Sequence, residues 1–293
     1  MSWASSWHAA KRDLYGMNRR NVALIYPHNQ RRHYPIADDK LLAKQWLERA
    51  GVPTVETLAT CAGLFQVPET VTRLFLSEDF VVKPAQGAGG DGILVVSERI
   101  APGRWRTAGG ELLTADALRR HLAHIVFGAF CKKGDDRAFI ERRVTPPAFF
   151  AELSPGGLAD LRIITLFARP IVAMLRIPTS LSGGRANLSQ GGLGVAINLS
   201  SGRITRAVLS GASVTEHPDT GVALIGRVVP GWPALLDLAR RAARAVPLEY
   251  LGVDLVVDET FGPRVLEINA RPGIEIQNVH GVGIGKFLAE AGW

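Results

Sequence analysis

Cysteine is scarce: the 293 residues hold two, Cys61 and Cys131, far apart, with neither a CxxC pair nor a histidine cluster beside them. A disulfide framework and a structural zinc site both need such groups at close spacing, so both are excluded and the thiols are read as ordinary side chains. Long apolar runs are also missing. None approaches the roughly 20 residues that a membrane span needs, so no span is expected. The N-terminus, MSWASSWHAAKR, lacks the continuous apolar centre of a signal peptide, which makes the cytoplasm the expected compartment. A basic stripe with interleaved aromatics is absent as well. The net charge of +7 sits in scattered pairs such as Arg119-Arg120, Arg142-Arg143 and Arg240-Arg241. No nucleic-acid partner is expected.

What the chain does have is length for one large or two to three small packed units. Its 47% hydrophobic content and 31 glycines fit a soluble, loop-rich α/β enzyme. The most informative stretch is LGVDLVVDETFGPRVLEINARPG, from Leu251 to Gly273. Val253–Val257 and Arg264–Asn269 are β-branched, apolar runs bounded by Gly and Pro, which predicts two strands joined by a tight turn. Side chains alternate along a strand, so Glu267 and Asn269 share one face and Leu266 and Ile268 the other. A hairpin symmetric about Thr260-Phe261 sets Asp254 opposite Glu267, with Cβ atoms roughly 5 Å apart. Two carboxylates that close, buried by the apolar runs around them, call for a positive partner, and with a neighbouring amide they suit Mg²⁺ or Mn²⁺. A solvated polar face on an edge hairpin is the alternative.

Elsewhere, Trp3, Trp7 and Leu14 are spaced for a short amphipathic helix that packs on the main body. HNQRRHYP reads as a basic, turn-like loop. A helix is predicted from Asp38-Asp39, with Leu42, Trp46 and Ala50 on one face and Gly51 and Pro53 ending it. Strand Phe80–Lys83 runs into the glycine-rich segment Pro84–Gly92 and returns through Ile93–Val96. Its glycines let backbone N–H groups turn towards an anion, or simply make a flexible hairpin. Lys83 precedes the glycines, which is not the Walker order. A helix over 114–125 precedes a strand over 138–144. ADLRIITLFARPIVAMLRIP predicts an antiparallel pair turning at Arg169-Pro170, with Asp160 and Arg162 on one face as an intrastrand ion pair or as part of a site. The glycine-bracketed loop from Ser182 to Gly192 is too long for a simple turn, and such loops commonly carry function. A last helix is expected over 233–246.

GVDLVVDE and VLEINARPG together resemble the C-terminal metal motif of the ATP-grasp superfamily. The preceding motifs follow in that superfamily's order: DDKLLAKQWLERAGVPTV, VVKP with its glycine loop, the FIE strand, D-x-R, and R-x-N before Gly191-Gly192. The segment 210–232 looks more like the alpha-L-glutamate ligase-like, sugar-transfer-associated subgroup than the ribosomal-protein-modifying glutamate ligases. The resemblance covers Asp38–Gly273. It implies an α+β ATP-grasp fold in which two α+β subdomains clasp ATP, without the full α/β domain that most members carry before the core. The implied division is an N-terminal extension over 1–35, a central and lid subdomain over 36–143, and a metal-binding and acceptor subdomain over 144–293.

By the same resemblance, Lys83 and the loop glycines Gly87, Gly89, Gly90 and Gly92 hold ATP, with Ile140 and Glu141 on the strand that meets adenine. Asp254, Glu267 and Asn269 hold Mg²⁺ or Mn²⁺. Arg162, Arg176, Arg185 and Asn187 face the transferring phosphate or an acidic small-molecule or peptide substrate. The implied reaction is carboxylate-amine ligation through an acyl-phosphate, with L-glutamate as one component. A phosphotransferase, or an ATP-grasp protein acting on a sugar-linked substrate without forming an amide, stands as the alternative.

Overall fold

Alternating β-branched and apolar residues build two antiparallel sheets, one in each of two compact units of the computed structural model, which describes residues 11–87, 89–131, 134–154 and 156–293. Trp3 and Trp7 lie outside the described residues. No helix among the described residues is long and apolar enough to cross a membrane.

The smaller unit comprises Asp39–Leu41 and Val55–Val144. Its strands are β1 (Thr57–Cys61), β2 (Phe80–Pro84), β3 (Leu94–Ala101), β4 (Arg104–Thr107), β5 (Leu112–Thr114) and β6 (Ala138–Glu141), in spatial order β1-β6-β2-β3-β4-β5. Helix Ala115–Val126 starts where Thr114 accepts a hydrogen bond from the Ala117 N–H at 3.2 Å, satisfying one of the free donors of its first turn. Leu118, Leu122 and Ile125 fall on one helical face and meet Phe80, Val82 and Trp105 in a fully buried core.

The larger unit takes in the chain up to Asp38, Leu42–Thr54 and Thr145–Trp293. Its strands are β7 (Asp160–Leu166), β8 (Arg169–Ile177), β9 (Leu193–Ile197), β10 (Ile204–Leu209), β11 (Ala212–Val214), β12 (Tyr250–Asp258) and β13 (Gly262–Asn269), in spatial order β11-β10-β9-β8-β7-β12-β13. Strand periodicity divides this sheet cleanly. Leu161, Ile163, Leu175, Val253 and Leu255 pack with helix Trp232–Arg244. On the opposite face, Ile164, Leu166, Val172, Met174 and Tyr250 pack with Leu24 and Ile25 and with helices Glu275–His280 and Ile284–Glu290. By the same alternation Asp160, Arg162, Arg176 and Asp254 extend this second face beyond its apolar part.

Two local expectations are corrected. The β7–β8 turn is formed by Phe167 and Ala168, at φ 48° and 58°, while Arg169 and Pro170 already lie in β8. Left-handed geometry at both central residues matches the twist of paired strands, and here non-glycine residues adopt it. The basic segment HNQRRHYP is three short helical turns, Tyr26–His28, Arg31–His33 and Tyr34–Asp38, rather than a loop. Within it Asn29 is buried: its amide N–H₂ donates to the carbonyls of Tyr250 (2.7 Å) and Ala270 (3.0 Å), and its oxygen accepts the Tyr250 N–H (3.0 Å). The helix expected from Asp38-Asp39 begins at Lys40 and runs to Arg49, before Gly51 at φ 68°.

Candidate functional site

In the hairpin β12–β13 Asp254 stands opposite Glu267, but the ladder reaches that pairing through an irregularity. From the turn inwards, Asp258 pairs with Gly262 and Leu255 with Val265; Leu266 is then left over, and Asp254 meets Glu267. The extra residue is a β-bulge. It keeps Val265 in the apolar core with Leu255 while Glu267 joins the charged face.

β7 lies on the other side of β12, with Arg162 directly opposite Asp254, and β8 follows with Arg176 opposite Asp160. Six polar side chains are thereby drawn into one network. Asp254 is fully buried and is gripped by Arg162 in fork geometry, Nε to Oδ1 at 2.7 Å and Nη2 to Oδ2 at 2.5 Å. Arg176 bridges two acids, donating from Nε to Asp160 at 2.7 Å and from Nη2 to Asp254 at 2.9 Å. Asn269 donates to Asp254 at 3.3 Å and to Glu267 at 3.1 Å, and the Arg162 guanidinium lies 3.9 Å from Glu267. The pairs are cross-strand. The expected alternative of an intrastrand Asp160–Arg162 bridge is not what forms.

The two buried acids differ in charge preference. Burial alone pushes Asp254 up, but Arg162 and Arg176 outweigh it and hold its pKa at about 2. For Asp160 burial prevails; Arg176 offsets it only in part, the Asp254 charge adds to it, and the pKa rises to about 6. Burial lowers the affinity of Arg176 for its proton, yet Asp160 and Asp254 more than restore it.

This arrangement alters one step of the sequence reasoning: the burial of Asp254 does not by itself require a metal, because two guanidiniums answer its charge. The donor set still fits a hard cation. Glu267 is the most open acid of the network, with 31% of its side chain exposed, and the Asn269 N–H₂ contacts leave its amide oxygen as an acceptor. Among the described residues no three carboxylate, thiol or imidazole groups stand close enough to share an ion. That suits Mg²⁺, which ordinarily takes one or two carboxylates and completes its shell with water and phosphate oxygens.

In the smaller unit Lys83 and Glu141 are diagonal neighbours on one face of β2 and β6, where Val81 pairs with Glu141 and Lys83 with Phe139. Lys83 Nζ lies 2.5 Å from Glu141 Oε2. An ammonium has three donors, so this bond leaves two for a ligand. Ile140, expected with Glu141 on the strand that meets adenine, is fully buried and pairs with Val82 and Ala59. The glycine loop joins β2 to β3. Gly89, Gly90 and Gly92 adopt φ of 69°, 87° and 76°, which side chains of L-residues resist. Gly87 is required for another reason: a Cβ there would lie 2.3 Å from the Pro84 ring. Two contacts that sequence reasoning did not supply secure the loop: Lys40 Nζ donates to the Gly87 carbonyl at 2.5 Å, and His121 Nε2 lies 3.0 Å from the Gly92 carbonyl. Buried Asp136 accepts the Gln86 N–H at 3.1 Å, a contact across 50 residues that no local sequence pattern signals.

Arg185 and Asn187 occupy the loop before β9. Asn187 accepts from the Ser189 N–H (3.2 Å) and hydroxyl (3.0 Å), capping a helical turn. The Arg185 side chain is exposed, and its guanidinium has no partner among the described residues. No hydrogen bond or ion pair joins either residue to the six-residue network there.

The chain is similar to several known proteins. The ribosomal protein bS6–L-glutamate ligase of Escherichia fergusonii is 25% identical over 268 residues, covering 90% of this chain and 66% of that ligase, so the chain spans a little under two thirds of its length. Among solved structures, the biotin carboxylase–β,γ-ATP complex from Campylobacter jejuni superimposes with a TM-score of 0.54 at 15% identity, over 97% of this chain and 55% of the other. The ATP-grasp ligase PsnB complexed with a minimal precursor gives 0.48 at 18% identity, over 90% and 61%. At such identity the carboxylase speaks for the fold alone, and that fold is ATP-grasp. The sugar-transfer associated ATP-grasp pattern matches residues 19–291, taking in the glycine loop, the arginine strands and the Asp-Glu-Asn hairpin alike, and the chain belongs to that family.

Proposed function

We propose that the chain is an ATP-dependent carboxylate-amine ligase that joins L-glutamate to a peptide or small-molecule acceptor through an acyl-phosphate. The observation that carries this reading is the convergence of Arg162, Arg176, Asp254, Glu267 and Asn269 on one face of four neighbouring strands. Two guanidiniums held by buried acids are pre-oriented donors, the kind of group that stabilises charge developing on a transferring phosphoryl without reorganising. Lys83, with two N–H groups to spare, and the glycine loop bind nucleotide phosphates. The free fork of Arg185 suits an acyl-phosphate or the second carboxylate of a dicarboxylic substrate. Glu267 and Asn269, with Asp254, would hold Mg²⁺, which when bound neutralises charge on the phosphates. Similarity to a glutamate ligase makes L-glutamate the first substrate to test.

In the reaction a substrate carboxylate takes the γ-phosphoryl of ATP, releasing ADP. The amine then displaces phosphate to leave the amide. The test is ADP release against a panel of amino acids and peptides, with hydroxylamine as a trap. A hydroxamate, and with an amine a product whose mass corresponds to condensation with loss of water, are expected. Glu267→Gln should abolish both while leaving thermal unfolding unchanged. ADP formation with phosphate stably retained on the acceptor, and neither hydroxamate nor amide, would replace the ligase with a phosphotransferase.

A further inference from the structure

The larger unit contains a cavity of about 590 Å³ that the proposed chemistry does not use. It opens where the β7–β8 and β9–β10 turns come together, and helices Trp232–Arg244 and Ile284–Glu290 contribute to its wall. Arg169, on its rim, begins β8, and Arg176 of the charged network lies seven residues further along the same strand. At roughly 3.3 Å per residue the two are about 23 Å apart. The cavity is therefore separate from the network.

Its lining has two characters. Val172 and Phe287 from one face of the sheet and Ile197 and Leu236 from the other give it an apolar lining, and His280 lies edge-on to the Phe287 ring at 5.0 Å. The imidazole sits 2.8 Å from the Ala173 carbonyl, and burial holds its pKa below the usual value, so this wall is neutral at pH 7. The rim carries Arg169 and Arg240. Arg169 donates to the Ala291 carbonyl at 2.7 Å, which leaves most of its five N–H groups uncommitted. Arg240 is half-buried, and its guanidinium has no partner among the described residues. Glu290 is the acid nearby, and it is exposed and faces Lys286 at 4.0 Å.

We propose that this cavity is a second ligand site, taking an amphiphilic anion: a carboxylate or a phosphate monoester on a short apolar body. Arg240, half-buried and without an acid partner among the described residues, favours an anion, because a charge-assisted bond would satisfy its unused donors. A bare inorganic anion would leave the apolar lining wet, and a neutral apolar molecule would leave the arginines unmatched. The volume lies within the range of about 300–1,000 Å³ found for sites that enclose small molecules.

The experiment is calorimetric titration of the whole chain, with excess ADP and Mg²⁺ present so that a phosphate ester does not report on nucleotide binding. The probes are hexanoate and hexyl phosphate, with hexanol and inorganic phosphate as controls. At least one amphiphilic anion should bind tenfold or more tightly than either control. Preference for hexyl phosphate identifies the ligand as a phosphate monoester, and preference for hexanoate as a carboxylate. Arg240→Ala should weaken that binding at least tenfold. Thr205→Glu, which places a like charge at an exposed rim position, should do the same and decides the matter if Arg240→Ala does not fold. Anions that bind no better than hexanol or phosphate, or dissociation constants unchanged by the substitutions, would overturn the proposal.

Discussion

Replacing Arg176 by Met tests whether the charged network supports the larger unit as well as any chemistry. The guanidinium lies 2.7 Å from Asp160 and 2.9 Å from Asp254, with 14% of its side chain exposed. At an effective dielectric near 20, each contact is worth about 6 kcal/mol of Coulomb attraction before the cost of desolvation is counted. Removing one partner of a buried pair typically costs about 3–5 kcal/mol, because the other charge stays behind. Asp254 keeps both contacts to Arg162, so the loss falls chiefly on Asp160. With a pKa already at about 6, Asp160 can take up a proton, which places the expected loss near the lower end, about 3 kcal/mol at pH 7.5. In a unit of this size that lowers the midpoint of thermal unfolding by about 6–12 °C. Calorimetric scans in metal-free buffer measure it, and Arg176→Met combined with Asp160→Asn should regain more than half of the loss, since the stranded charge is gone. A drop below about 2 °C, or a double variant no more stable than the single one, would refute the reasoning.

Lys83→Ala removes a charge-assisted donor worth about 1.5–3 kcal/mol, so ATP affinity measured by calorimetry should fall about 10- to 100-fold; unchanged affinity would make the glycine hairpin purely structural. Arg185→Lys retains charge but loses the planar fork, and should lower kcat about tenfold or more with no shift in melting temperature, because the side chain is exposed and has no hydrogen bond or ion pair among the described residues. Burial lowers the pKa of both His121 and His280 below the usual 6.5, so the unfolded chain takes up their protons first. Their contribution to stability is full above about pH 6.5 and is lost as pH falls through the lower, folded-state values. Asp160, whose folded-state pKa of about 6 lies far above its unfolded value, opposes this trend, so urea midpoints of an Asp160→Asn variant should decline from pH 7.5 to 5.5 and His280→Gln added to it should flatten that decline.

The strands were legible wherever period two was written plainly, as in VDLVV and VLEIN, and so were helices with a cap and an apolar stripe, as from Thr114 to Ile125. The β7–β8 turn was not. Leu-Phe-Ala-Arg-Pro offers no glycine or asparagine to mark left-handed backbone, so the proline drew the turn two residues too far. Asn29 was hidden for a different reason: its partners, Tyr250 and Ala270, lie more than 200 residues away, and no local pattern records such a contact. The members of the charged network were visible one by one. Their pairing was not, because Arg162 answers Asp254 only once β7 lies beside β12, and strand order is a property of the whole sheet.

The bulge at Leu266 has a consequence for comparing this chain with its relatives. Continued from the turn without interruption, the ladder would set Asp254 against Leu266. The extra residue changes frame midway, so the turn end and the site end of the hairpin are counted separately. A relative lacking the bulge would carry its Glu-x-Asn one residue nearer to its Asp and still present the three side chains together. The number of residues between those motifs is therefore not a conserved ruler, and a one-residue gap in an alignment at this point marks a lost bulge rather than a lost site.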